Sequence, residues 1–415
     1  MDIWIAPSDN FMGTLYGCAH LTVLWDNRPM APQSRQSERS RQTDLKVAES
    51  AANSVRRDGV DQLALTRVAS DAGYSSGVIY ARCDDRSELM VLAWQKSFWP
   101  AVSSALDDVL TAVTSQDVPA LDSALARWRE LEVAGAVPDA GSAVEVLVAS
   151  RRDEVIAEVV NADVVALLER HGAAPGTTGA QRELIALTVA TLLGASLMNS
   201  ALPDGSDLTI DPTFLLHMFA RRSPGLEKAS HEDIEVAEFE RPRTGDNVRD
   251  ALIDATEYVT ARSGVHRATV SRIARRAGVS VGAIYGLYDN KETLVLDCVS
   301  VIHPPQAARD IAAFADITIE RVRSVIGANL RRFLSPQQTL WRQFRMECLV
   351  AARHSPALAA MLDEFGHDHL EHIGATLNMS MMERVPARAT VVGLAVLATA
   401  DPTLQDVPWE WFPIG

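Results

Sequence analysis

Residues Arg57–Met90 and Arg262–Val295 align without a gap, 205 positions apart, with 13 identities in 34 positions. The identical pairs include Gly59/Gly264, Arg67/Arg272, Ala72/Ala277, Gly73/Gly278, Ser75/Ser280, Gly77/Gly282, Tyr80/Tyr285 and Leu89/Leu294. A repeat of this length implies two copies of one structural unit rather than a single continuous fold. A second likeness lies downstream, where "EVLVASRRDEVIAEVV" (145–160) answers to "ECLVAARHSPALAAML" (347–362). The duplication therefore covers whole domains, in a chain whose 415 residues suit two or three domains of roughly 150 each.

The repeated stretch has a helical grammar. In the second copy Val270, Ile273, Ala274 and Ala277 fall on one face of a helix, which packs inward. Gly278 supplies a left-handed residue to end that helix, Val279 fills the angle, and Ser280 is placed to cap the next one. A helix, a glycine turn and a second short helix make a helix-turn-helix. On the second helix Ile284 and Tyr288 suit the inner face. Val281, Gly282, Ala283 and Gly286 are small enough for close approach to a DNA groove. Tyr285 and Lys291 suit phosphate contacts, as do Arg272, Arg275 and Arg276 on the helix before. Asp289 with Glu292 reads as a capping box opening the following helix.

These residues resemble the TetR family of bacterial repressors. The family's pattern appears as Thr269, Ile273-Ala274, Ala277-Gly278-Val279-Ser280, Gly282, Ile284-Tyr285, Tyr288, Lys291 and Leu294. The first copy keeps the frame with Val68-Ala69, Ala72-Gly73-Tyr74-Ser75, Gly77, Ile79-Tyr80, Arg86 and Leu89, and departs from it at Ala64, Tyr74 and Cys83. By analogy its DNA contacts would be Arg67, Ser75, Ser76, Gly77, Val78, Tyr80, Arg82 and Arg86. The resemblance implies two TetR-type units fused in tandem, each an N-terminal three-helix DNA-binding domain followed by a helical regulatory domain. It also implies pairing through the last helices of each unit, here Arg182–Ser200 and Ala387–Ala400, within one chain. A further homodimer of chains is left open.

The whole chain is expected to be all-α, since no stretch sustains two-residue alternation. Its parts read as a loose extension at 1–38, a first DNA-binding domain at 39–84 and a first regulatory domain at 85–222. An acidic, polar linker follows at 223–245, then a second DNA-binding domain at 246–289 and a second regulatory domain at 290–415. The linker's 23 residues could reach roughly 75 Å if fully extended.

Charge has to be read by domain. The chain carries a formal −15, yet the window Arg262–Lys291 holds six basic residues against Asp289 alone, a net +5. The aligned window Arg57–Arg86 holds four basic residues against five acids, a net −1. The two motifs should therefore bind DNA unequally, with Arg35, Arg39 and Arg41 as a basic arm assisting the first. The partner expected is double-stranded operator DNA, read as two dissimilar half-sites.

In the second regulatory domain Trp341, Phe344 and Arg345 fit an apolar effector with an anionic group, such as an acyl-type molecule, although core packing accounts for each one singly. His367, His369 and His372 stand near Asp368, which with His372 could share a metal, but a solvated helix face explains the same spacing. No cofactor is called for. The four cysteines are scattered without a C-x-x-C pair, which suits a reducing cytoplasm. The longest apolar run, 184–198, is shorter than the ~20 residues a bilayer requires, so no membrane is expected. G-x-S-x-G, H-E-x-x-H and phosphate-loop patterns are missing, so an enzyme is not expected. The rival reading is a helical lipid- or partner-binding protein whose motifs no longer bind DNA, which the global charge and the acidic first copy favour.

Overall fold

The structure, a computed structural model, describes residues 38–133, 139–202, 210–222, 242–312, 319–377 and 380–411. Among them every regular element is helical. The first half holds α1 (Glu38–Asp58), α2 (Leu65–Asp71), α3 (Ser76–Tyr80), α4 (Arg86–Ala93), α5 (Trp99–Ser115), α6 (Val118–Val133), α7 (Asp139–Ser150), α8 (Glu154–Arg170), α9 (Ala180–Ala201) and α10 (Thr213–Ala220). The second holds α11 (Asn247–Ser263), α12 (Val270–Ala277), α13 (Val281–Tyr285), α14 (Lys291–Ala312), α15 (Ile319–Leu334), α16 (Thr339–Ala352), α17 (Pro356–Leu377) and α18 (Met381–Ala400). From Gln42 onward the described residues belong to one large compact unit.

Several boundaries differ from the sequence reading. The extension and most of the linker lie outside the described residues, as does Arg35. α1 begins at Glu38, so Arg39 and Arg41 belong to a helix, and Arg41 pairs with Glu38 at 2.7 Å. α4 and α5 do not run on as one regular helix: a π-turn at Trp94–Phe98 lies between them, where two tryptophans stack at 5.0 Å. α7 ends at Ser150 and α8 begins at Glu154, because Asp153 accepts from Ile156 N and caps a new helix. The capping box expected from Asp289 is not formed. Asn290 takes the role instead, its Oδ1 accepting from Thr293 N at 3.0 Å.

α9 and α18 pack against each other at the centre of this large unit. Ala, Gly and Thr line the seam because only small side chains let two backbones come this close. A Cβ on Gly194 would strike the Ala389 carbonyl, and one on Gly393 would strike the Ala190 carbonyl. Thr191 and Thr390 share a buried hydroxyl bond of 2.7 Å across the same seam. The three contacts are reciprocal, with every partner 199 positions from its counterpart. α9 exceeds the apolar run within it and has the length and hydropathy of a membrane span. However, 83% of its apolar window is buried inside the protein, against α18 and α7. The C-terminal segment is strapped to the start of this helix: Arg182 pairs with Asp401, and Glu183 accepts from the Glu410 and Trp411 amides at 2.8 and 2.6 Å.

Candidate DNA-binding site

The second helix-turn-helix is built as its sequence dictates. Thr269 caps α12 by accepting from Arg272 N, Gly278 takes the left-handed conformation at φ 72°, and Ser280 caps α13 through Ala283 N at 3.1 Å. Leu252, Val259, Ala268, Ile273, Ile284 and Leu294 are among the residues of a small core that belongs to this head alone. Tyr288 closes it. Its hydroxyl donates to Asp297 at 2.6 Å, and Arg249 holds that carboxylate from the other side at 2.5 Å.

With the inner face fixed, the outer face is set as well. Val281, Gly282, Tyr285, Arg272, Arg275 and Arg276 are exposed, and Ala283 is half-buried between them. Arg276 lies over the Tyr258 ring with its guanidinium carbon 3.9 Å from the centroid, and Arg262 approaches the same ring at 5.3 Å. No local pattern in the sequence announces that role of Tyr258. Lys291 is half-buried, and its ammonium donates to the Val265 and His266 carbonyls at 2.9 and 3.1 Å, with burial lowering its pKa. It fastens the turn before α12 as much as it faces outward.

The first helix-turn-helix keeps the backbone and pairs its arginines within the protein. Gly73 is left-handed at φ 74°. Ser75 makes no capping bond, Gly77 and Tyr80 are exposed, and Ser76 and Val78 are half-buried. Arg67 pairs with Asp58 at 3.2 Å and Arg82 with Asp44 at 2.6 Å, while Arg86 donates to the Val60 carbonyl at 3.1 Å. Unlike the second head, the first merges its core residues Val68, Ile79 and Leu89 with the main core of the protein.

The two heads meet at their first turns. Gln62 lies 3.0 Å from the His266 ring nitrogen Nε2. Behind this contact, Glu347 pairs with Arg151 at 2.5 Å and with Arg152 at 3.1 Å, and Glu145 pairs with Arg353 at 2.6 Å. The paired segments were visible as a repeat, but nothing in their sequence says that each glutamate reaches the other copy's arginine. A cavity of about 450 Å³ opens beside them, lined among others by Gly59, Asp61, His266, Lys291 and His354.

Burial raises both Glu145 and Glu347 to about 7, and burial likewise raises Glu183 to about 7. A carboxyl raised in the fold contributes stability that is complete below its unfolded value and is lost as pH climbs through the folded one. Burial, followed by the charges of Arg345 and Arg388, moves His303 and His369 the other way, the latter to about 3. Their contribution is complete above about pH 6.5 and falls away in acid. From about pH 6.5 to 7.5 the histidines no longer offset the carboxyls, so the melting temperature should fall across that range, with Glu347→Gln lessening the fall. A melting temperature that rises steadily from pH 6 to 8 would contradict these assignments.

Further back, Trp341 meets His303 edge-on at 5.3 Å, Phe344 lies 6.4 Å from Trp341, and Phe365 stacks on His303 at 5.5 Å. Arg345 is half-buried and acts electrostatically on His303, His369 and Arg388. Arg388 is buried, lowered to about 9 by that burial, and one of its terminal nitrogens has no partner. The corresponding depth of the first half is packed with Trp94, Phe98 and Trp128. His367 pairs with Glu371 and His372 bonds the Asp368 carbonyl. Among the described residues no group of three or more His, Cys, Asp or Glu side chains is placed to hold a metal.

Comparison with known proteins places the similarity on the second head. Residues 252–298 match the bacterial regulatory proteins of the tetR family. Over 45 residues the chain is 44% identical to the fatty acid metabolism regulator protein of Bacillus subtilis (strain 168). That alignment covers 11% of this chain and 23% of the relative, so the chain spans about a quarter of the regulator it matches. The matched segment runs from within α11 to within α14 and encloses the whole helix-turn-helix. Over residues 252–298 the chain carries a DNA-binding domain of the TetR type.

Proposed function

We propose that the protein is a cytoplasmic, ligand-responsive transcriptional regulator, acting as a repressor, in which two TetR-type units are fused and paired within one chain. The observation that carries the regulatory reading is the family match at 252–298, on a motif whose outward face is basic. The tandem reading is supported by the 205-residue repeat and by the reciprocal seam of α9 and α18. A contact in which residue i meets j while j's counterpart meets i's is the mark of two-fold association, here between halves of one chain.

The operator proposed is asymmetric. The second head would supply Thr269, Arg272, Arg275, Arg276, Ser280, Val281, Gly282, Ala283, Tyr285 and Lys291. The first would supply Ser75, Ser76, Gly77, Val78 and Tyr80, with Arg67, Arg82 and Arg86 largely committed to intramolecular pairs. The effector proposed is an apolar molecule with an anionic end, held in the second half near Trp341, Phe344 and Arg345. The buried Arg388 supports an anion there, because a buried guanidinium nitrogen without a hydrogen-bond partner is costly.

A gel-shift with the DNA upstream of the protein's own reading frame tests both parts. The full chain should retard that DNA and release it on addition of dodecanoate. Failure to bind any such DNA would favour the lipid- or partner-binding alternative. Release by small polar metabolites alone would sink the acyl-type effector.

A further inference from the structure

Arg152 and Arg353 stand just past the ends of α7 and α16, Arg353 at the place of the repeat that Arg151 holds and Arg152 at that of His354, and each reaches out of its own half. Arg152 Nη1, 4% exposed, donates to the Ser263 carbonyl at the last residue of α11 at 2.6 Å and lies 3.2 Å from Asp61. Arg353 Nη2, 10% exposed, donates to the Val55 carbonyl in the last turn of α1 at 2.9 Å. A guanidinium on the carbonyls of a helix C-terminus is favoured both by hydrogen bonding and by the helix dipole. Each of these helices is the one on which a reading head is built. The first half thus grips the second head, and the second half grips the first.

The grips are interlocked. Glu347 pairs with Arg151 and Arg152, while Glu145 pairs with Arg353, so each guanidinium faces a carboxyl group from the opposite half. Glu145 and Glu347 are each 1% exposed. Removing one partner from such a pair leaves the other buried and unpaired, which is why the arrangement resists swinging. Close approach is permitted by Gly59 and Gly264, both at positive φ. A Cβ on Gly59 would come within 3.0 Å of His354, and one on Gly264 would strike Arg152.

We infer that Arg152 and Arg353, with their carboxylates Glu347 and Glu145, are positioning residues that fix the separation of the two helix-turn-helix heads and thereby the spacing of half-sites the protein accepts. They touch no DNA themselves. The part concerning half-sites rests on the DNA-binding reading above, whereas the separation of the heads does not.

Two measurements on the full chain keep these apart. The first uses no DNA. Spin labels are placed at Thr66→Cys and Ser271→Cys, exposed positions 205 residues apart on α2 and α12, in a Cys18→Ser background whose other cysteines are buried. The distance distribution should be narrow, and should broaden or split in Arg152→Met and Arg353→Met. A distribution unchanged in variants that keep their helical signal overturns the inference. Should either variant fail to fold, Gln62→Ala with His266→Ala, two exposed residues at the same joint, serves in its place and should broaden the distribution to a lesser degree.

The second measurement steps the spacer between half-sites one base pair at a time. The unaltered chain should prefer one spacing over its neighbours by about tenfold, and Arg152→Met should reduce that preference to under about threefold. A preference equally sharp in the variant overturns the inference. If the unaltered chain binds no DNA while its labels report a narrow distance, the regulator reading fails and the clamp stands.

Discussion

Replacing Gly194 by leucine is expected to lower the melting temperature by about 3–6 °C, corresponding to about 3–5 kcal/mol. The Cβ alone meets the Ala389 carbonyl, and a backbone atom cannot rotate aside as a side chain can. Gly393→Leu should cost a similar amount, because its Cβ meets the Ala190 carbonyl in the mirrored position. The double replacement should cost less than the two single costs combined, since one separation of α9 from α18 accommodates both. Calorimetry on the four proteins decides it. Strictly additive losses would mean that the two glycines do not share one seam.

Arg275→Ala with Arg276→Ala should weaken operator binding on the order of 30- to 100-fold. It should also flatten the slope of log affinity against log salt by about 1.8, for two phosphates no longer neutralised. Both arginines are exposed on α12, and Tyr258 orients Arg276 from beneath. The matching change in the first head, Arg82→Ala with Arg86→Ala, should move the slope by less than about 0.5. Those guanidiniums are engaged by Asp44 and the Val60 carbonyl, so their loss should appear in the melting temperature instead. Equal slopes for the two pairs, or a perfect palindrome as the preferred site, would end the idea of unequal heads.

Local rules made much of the second head readable in the sequence. Gly278, Ser280, Thr269 and the apolar positions Ile273 and Ile284 each act within a few residues of themselves, and each does what its chemistry requires. The α9–α18 seam was approached by another route: the family resemblance implies pairing through Arg182–Ser200 and Ala387–Ala400, and these helices meet along small residues. What could not be read was long-range pairing of charge. Arg82 and Arg86 look like phosphate ligands from their spacing, and only the fold brings Asp44 and the Val60 carbonyl to them. The same holds for Arg152, whose partners Glu347 and Ser263 lie over a hundred residues away. The π-turn at Trp94–Phe98 carries no proline or glycine to announce it, and the stacking of Trp94 on Trp99 accompanies it.

The most direct test of the fused, internally paired regulator is the mass of its complex with an operator carrying both half-sites. Native mass spectrometry on the full chain and that duplex should find one chain per duplex, with both half-sites protected in footprinting. Two chains on every duplex, with none carrying a single chain, would contradict the account, because the pairing across α9 and α18 would then not suffice to bring two heads to DNA.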